Sequence, residues 1–148
     1  MVYIGCDPAF RQNGFCIAIL DENRELQTKT FKKFIDFIGW VQNEMPQKSI
    51  VAIENSYLQN STFDMTGNKS VVARKSRNVG KNQAVSQIAY ELFTEYAAKV
   101  RNVSPKEKGR KRDNALIIQL AKGQGWKVSK KRFNQDERDA IFMLNFAY

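Results

Sequence analysis

The sequence predicts a single α/β domain over residues 1–148. Its sheet is mixed and five-stranded, three antiparallel strands followed by two parallel ones, with helices on its flanks. Three features predict it. The first thirty-one residues hold three short runs divided by turn residues, "VYIGC", "FCIAIL" and "LQTKTF", as hairpin-linked strands do. The remainder alternates apolar runs with stretches of helical period, which makes parallel strands joined through helices. A hydrophobic share of 43% over 148 residues is enough to build a core rather than leave the chain disordered.

The elements follow in order. "VYIGC" is a strand that Asp7-Pro8 breaks, since proline pushes the residue before it towards extended backbone. "PAFRQNG" is a turn, with Asn13-Gly14 as its hairpin signal, and "FCIAIL" returns antiparallel. "DENRE" turns again, and "LQTKTF" alternates as an edge strand. From Lys32 to about Glu44, Phe34, Ile35, Ile38 and Val41 recur at helical spacing, and Pro46 stops the helix. "SIVAIE" is almost continuously apolar, the mark of a strand covered on both faces and parallel to its neighbour.

Residues 55–78, rich in Asn, Ser, Lys and Arg, form a loop or a loosely held helix. A long helix then begins near Asn82, with Val85, Ile88, Ala89, Leu92, Phe93, Tyr96, Ala97 and Val100 in an unbroken apolar stripe. "RNVSP" supplies the last strand and "KEKGRKR" a charged connector. "NALIIQLAKGQG" is a helix ending in glycines, "WKVSKKRFN" a second basic connector, and "NQDERDAIFMLNFAY" the closing helix.

Charge and composition narrow the function. With 24 Lys and Arg against 15 Asp and Glu, the net charge is +9 and the pI about 9.7, the footprint of a polyanionic partner, above all nucleic acid. No apolar run reaches membrane-spanning length, so no membrane is expected. "MVYIGCDP" has the pattern of a strand rather than a signal peptide. The expected location is the cytoplasm of a bacterial or phage-infected cell, or another DNA-containing compartment. Cys6 and Cys16 sit in apolar runs without CxxC spacing and are expected as reduced core residues. With so few cysteines and no histidine, zinc is not expected, and every mechanism built on an imidazole base is excluded.

The acids of the closing helix need a reason. Asp136 and Asp139, three apart, share a face with Ala140, Met143 and Ala147, a face that should point inward. Asp136 can serve as a cap at the positive end of the helix dipole; two acids turned inward also suit chemistry. Asp7 ends the first strand and Glu54 the fourth, and groups at the carboxyl ends of adjacent strands converge in such sheets. A cluster of like charges repels itself and needs a cation. Asp64 and Asp113 are ordinary loop or cap residues.

The order of elements is that of the ribonuclease-H-like fold, and four blocks carry a closer likeness. "IGCDPAFRQNGFCIAIL", "VAIENSYLQN", "VGKNQAVSQIAYEL" and "QDERDAIFML" resemble, in the same order, blocks of the RuvC family of Holliday-junction resolvases. The resemblance implies a metal-dependent, structure-selective DNA endonuclease of recombination and repair. It would resolve four-way junctions by phosphodiester hydrolysis with paired nicks, and act as a homodimer. It implies that Asp7, Glu54, Asp136 and Asp139 are catalytic and hold two Mg2+ ions, with Mn2+ able to substitute. It also implies a basic residue near the last connector that holds the scissile phosphate. Lys106, Lys108, Arg110, Lys111 and Arg112 are candidates, Lys108 and Lys111 preferred.

Lys69, Arg74, Lys75, Arg77 and Lys81 are expected phosphate contacts. Tyr57 is either a base-stacking wedge at the junction or a cover for the sheet edge; Phe63 and Met65 suit local packing. The helix of 82–100 suits a dimer seam or the core. Three other functions fit less well. A nuclease on RNA–DNA hybrids or other branched DNA would share the acids, and a non-catalytic nucleic-acid-binding module would not need them. An actin-like ATPase would need a second glycine loop and a longer chain, so no nucleotide cofactor is expected.

Overall fold

The computed structural model describes residues 1–11, 14–55 and 68–148, and within them every side chain except those of 9–11, 71–79 and 82. The elements are β1 (Val2–Arg11), β2 (Gly14–Leu20), β3 (Glu25–Phe31), α1 (Phe34–Asn43), β4 (Ser49–Glu54) and α2 (Lys69–Tyr96), then β5 (Lys99–Val103), α3 (Pro105–Lys108), α4 (Asn114–Gly123), β6 (Lys127–Val128) and α5 (Gln135–Ala147). The strands form one sheet in the order β5-β4-β1-β2-β3-β6. β1, β2 and β3 are antiparallel in sequence, while β4 lies parallel to β1 and β5 parallel to β4. This is the ribonuclease-H-like arrangement expected from the sequence, with one strand added.

The added strand is β6, where a basic connector was expected. Lys127 and Val128 pair parallel to Glu25 and Leu26, and Trp126 beside them is buried. Four other boundaries differ from expectation. β1 continues through Asp7-Pro8 to Arg11, and its register with β2 shifts between Asp7 and Arg11. That irregularity accommodates a proline, which has no N–H for the ladder. α2 begins at Lys69 rather than near residue 82. β5 starts at Lys99, two residues before "RNVSP". α3 is one helical turn inside the expected connector, opened by a capping box between Ser104 and Glu107 with Pro105 in its first position.

Side-chain alternation along the strands divides the core into two layers. Ile4 and Cys6 of β1, Phe15 and Ile17 of β2, and Val51 and Ile53 of β4 face α1 and α2, meeting Phe37, Trp40, Val41, Ala89 and Phe93. Phe37 stacks edge-on against Phe15, Phe31 and Phe93. The expected stripe of α1 is therefore rotated: Phe37 and Trp40 are inside, and Ile35 is 68% exposed. Ile88, expected on the inner stripe of α2, is likewise exposed.

The opposite face carries α4 and α5. Cys16, Ala18 and Leu20 pack there with Ile117, Ala121, Ala140, Ile141 and Leu144, and Ala52 and Val103 meet Met143 and Ala147. Both cysteines are free and buried, as their apolar settings suggested. The same alternation fixes where the strand acids point. Asp7 has the parity of Gly5, and Glu54 the parity of Ala52, so both are delivered to the α5 face.

Candidate functional site

The parallel pairing of β1, β4 and β5 closes at one level: Cys6 is in register with Ile53, and Glu54 with Val103. Asp7 and Glu54 follow those last β1–β4 partners, Asp7 within β1, which runs on beside β2 to Arg11, and Glu54 as the last residue of β4. Asn55 extends the ladder by donating its N–H to the Val103 carbonyl at 2.9 Å. Immediately after Val103 the chain turns into α3, whose last residue is Lys108. Its ammonium donates to Asp7 Oδ2 at 2.8 Å and to Glu54 Oε2 at 2.7 Å, and lies 4.0 Å from Asp139 Oδ1. Lys108 is only 8% exposed and Asp139 3%. Residues from β1, β4, a helical turn and α5 thus close around one nitrogen.

The charges do not balance. Three carboxylates face one ammonium, so the cluster keeps an excess of negative charge in a partly dry setting. Burial works against the Lys108 charge, yet Asp7, Glu54 and Asp139 raise its pKa above the ordinary lysine value. Burial foremost raises the Glu54 pKa; the Asp7 charge adds to that, and the charge and hydrogen bond of Lys108 oppose it. Asp139 is also raised, by burial first and then by Asp7, against the pull of Lys108 and a hydrogen bond from Gln135. One lysine holds three acids together without satisfying them.

The head of α5 is braced from several sides. Asn134 caps it and Glu137 completes a capping box. The buried Glu137 carboxylate also accepts from Thr28 of β3 and from Lys130 at 2.9 and 2.7 Å. Burial opposes its charge, but the bonds from Lys130, Thr28 and the Asn134 amide hold its pKa below the usual carboxylate value. Arg138 donates to the carbonyls of Arg112 at 3.0 Å and Phe133 at 2.6 Å, and to Gln135 Oε1 at 2.8 Å. With its oxygen so engaged, the Gln135 amide must present Nε2 to Asp139, and it donates to Oδ1 at 2.7 Å. Arg112 stacks 3.5 Å over the Phe142 ring and donates to the Lys108 carbonyl at 3.3 Å. The turn bearing Lys108 and the helix bearing Asp139 are thereby tied to each other.

The expected residues divide as follows. Asp7, Glu54, Asp139 and Lys108 meet. Asp136 is half-buried on the first turn of α5, where its charge, with that of Glu137, reaches Cys16; burial foremost pushes that thiol up to about 12. Lys111 is exposed, and its charge reaches Asp139. Lys106 and Arg110 are exposed. Asp113 caps α4, accepting from the Leu116 amide. Lys69 and Lys81 lie exposed on α2. Arg74, Lys75 and Arg77 belong to the same helix, with side chains outside the described set. Tyr57, Phe63, Asp64 and Met65 lie outside the described residues. Gln135 and Arg138 were not singled out from sequence; Arg112 was, but as a candidate for the scissile phosphate rather than as the brace between the Lys108 carbonyl and Phe142 that it forms. Gln135 could have been singled out, since a Gln four residues before an Asp on a helix reaches it.

The donor set suits a hard divalent cation. It offers only carboxylate oxygens, it carries surplus negative charge, and Asp139 Oδ2 is buried with no hydrogen-bond partner. Both polar atoms of the fully buried Asn55 amide, next in sequence to Glu54, also lack partners among the described residues. Among the described residues, no three acidic or thiol side chains are spaced to grip a metal as they stand. The ammonium of Lys108 holds the acids at its own contact distance instead.

No family model matches the chain, and no curated protein matches it. Among solved structures it is similar to T. thermophilus RuvC in complex with a Holliday junction substrate. The identity is 12%, over 97% of this chain and 90% of that one, with a TM-score of 0.47.

Proposed function

We propose that this protein is a divalent-metal-dependent DNA endonuclease that resolves four-way junctions. The observation that carries the reading is the convergence of Asp7 of β1, Glu54 at the end of β4 and Asp139 at the head of α5 around the Lys108 ammonium. The choice of a junction as substrate rests on the four sequence blocks that resemble the RuvC family. Mg2+ or Mn2+ bound there, two ions per site in the fully loaded form, would supply activation of water and neutralisation of the departing oxygen. The chain's own residues do the rest. Asp7, Glu54 and Asp139 fix the ions, with Asp136 as a further ligand one turn away. Gln135 orients Asp139. Lys108 and Lys111 bring positive charge to the scissile phosphate, and the basic residues of the α2 sequence, Lys69, Arg74, Lys75, Arg77 and Lys81, hold the DNA backbone. Tyr57 is the candidate wedge. Cutting both strands of a two-fold symmetric junction calls for a homodimer with one site per subunit.

The experiment is a comparison of labelled four-way junction, linear duplex and RNA–DNA hybrid, each incubated with the protein in Mg2+. Paired nicks confined to the junction are expected. Cleavage of the hybrid alone would replace this reading with a ribonuclease-H-like nuclease acting on RNA. One observation favours a second reading, a binding module without catalysis: Lys108 already neutralises part of the acid cluster. That module would bind DNA with a steep salt dependence and cut nothing in either metal.

A further inference from the structure

The position of Lys108 is unusual for a residue whose task is to hold a phosphate. Its ammonium points away from solvent, into the acids. It takes the two oxygens, Asp7 Oδ2 and Glu54 Oε2, that face each other across β1 and β4. A magnesium ion would need such oxygens at about 2.0–2.1 Å, in the volume the ammonium fills. Two cations crowded between one pair of carboxylates would also repel each other strongly in a partly dry site.

We propose that Lys108 is the resident cation of this site: its ammonium and a divalent ion compete for the same carboxylate oxygens, so metal loads as the side chain swings out towards nucleic-acid phosphate. The inference rests on the metal-dependent reading above and adds how loading is controlled.

The local structure suits a moving side chain on a fixed base. The Lys108 N–H is held by the Ser104 carbonyl at 3.1 Å, its carbonyl by Arg112, and α3 by its capping box. Directly after it, Gly109 sits at φ 75°, and a Cβ built there would meet nothing within 4 Å. The chain just past Lys108 is therefore uncovered. Exposed Arg110 and Lys111 follow, where an incoming phosphate would already be attracted. Asp139 Oδ2, buried and unpaired, is the oxygen that an arriving ion gains at no cost in broken bonds. Because phosphate offers the displaced ammonium a new partner, metal and DNA should each strengthen binding of the other by the same factor. Metal would load poorly without substrate.

The test is calorimetric titration of Mn2+ into the wild-type protein, Lys108→Met and Lys122→Met. Lys108→Met is expected to bind Mn2+ about tenfold or more tightly than wild type. Lys122→Met removes an equal charge from an exposed position on α4 and is expected to stay within about twofold. Equal or weaker binding by Lys108→Met would overturn the proposal and leave the metal reading standing. An equal gain in Lys122→Met would also overturn it, by reducing the effect to bulk charge. Absence of binding in all three proteins would sink both. Wild-type crystals soaked in Mn2+ give an answer independent of how Lys108→Met folds. Metal between Asp7 and Glu54 with Lys108 turned outward supports competition; metal beside an unmoved ammonium contradicts it.

Discussion

Gly5 of β1 lies directly under the carbonyl of Ala140 in α5. A Cβ at Gly5 would collide with that oxygen and come within 2.7 Å of the Leu144 amide nitrogen. Backbone touches backbone here because glycine has no side chain to hold them apart. The contact sits two residues before Asp7 on one element and one residue after Asp139 on the other. It sets the distance between the strand that supplies the first acid and the helix that supplies the last.

Gly5→Ala is therefore expected to do more than crowd the core. The methyl meets backbone, which cannot rotate away, so the cost should reach about 1–3 kcal/mol or more. A shifted α5 would also withdraw Asp139 from Asp7. Thermal unfolding should show the loss of stability, and Mn2+ binding should weaken with it. Unchanged stability would mean that α5 is not seated as described.

Gln135 is expected to act on the site through Asp139. Gln135→Ala removes the donor to Oδ1 while leaving the capping box of Asn134 and Glu137 intact. Cleavage should fall about ten- to a hundredfold, as when an orienting partner of a metal ligand is lost, with the melting temperature little changed. An equal fall in stability would assign Gln135 a structural role only.

Asp136 and Asp139 should behave differently. Lys108 approaches Asp139, whereas the charge of Asp136 is felt at Cys16. Asp139→Asn is expected to slow cleavage by about a hundredfold or more, the equivalent of about 3 kcal/mol of lost transition-state stabilisation. Asp136→Asn should cost about tenfold or less in rate, plus about 0.3–1 kcal/mol of helix stability. Rates measured at saturating Mg2+ decide; equal losses would contradict this ranking of the two acids as ligands.

Glu137 predicts an acid-sensitive contribution to folding. Its folded-state pKa is depressed, so its stabilisation is present above the unfolded carboxylate value of about 4.3 and is lost as pH falls through the folded value. Glu137→Gln should unfold about 2 kcal/mol more easily near neutral pH, where a hydrogen-bonded charge is removed. Melting curves of the two proteins should draw together as the pH falls below the unfolded value and through the depressed folded one. Curves that stay parallel would contradict the role of the ionised carboxylate.

Much of the sheet was legible because burial leaves a pattern in sequence. "SIVAIE" was read with the limits Ser49–Glu54 that β4 has, since a strand covered on both faces is apolar throughout. Asp7 and Glu54 were legible as acids closing such runs. Lys108 could be narrowed only to a preferred pair among five cations, because its partners lie 101 and 54 residues away. β6 was missed because two residues have no period to detect. α3 was missed although Ser104, Pro105 and Glu107 spell a helix start; the charges around them suggested a solvated connector. The early part of α2 was left open between a loop and a loosely held helix because Lys69–Lys81 has no continuous apolar stripe. Ile35 was placed inside because i, i+3, i+4 spacing identifies a stripe but not which neighbouring aromatics, here Phe37 and Trp40, displace it.

The most direct measurement compares wild type with Asp7→Asn on a labelled four-way junction, scoring binding and cleavage together in Mg2+ and again in excess chelator. Wild type should nick the junction only in Mg2+, and Asp7→Asn should bind it comparably while cutting at least about a hundredfold more slowly. Cleavage by Asp7→Asn at the wild-type rate, or by wild type in chelator, would contradict a metal held by these carboxylates.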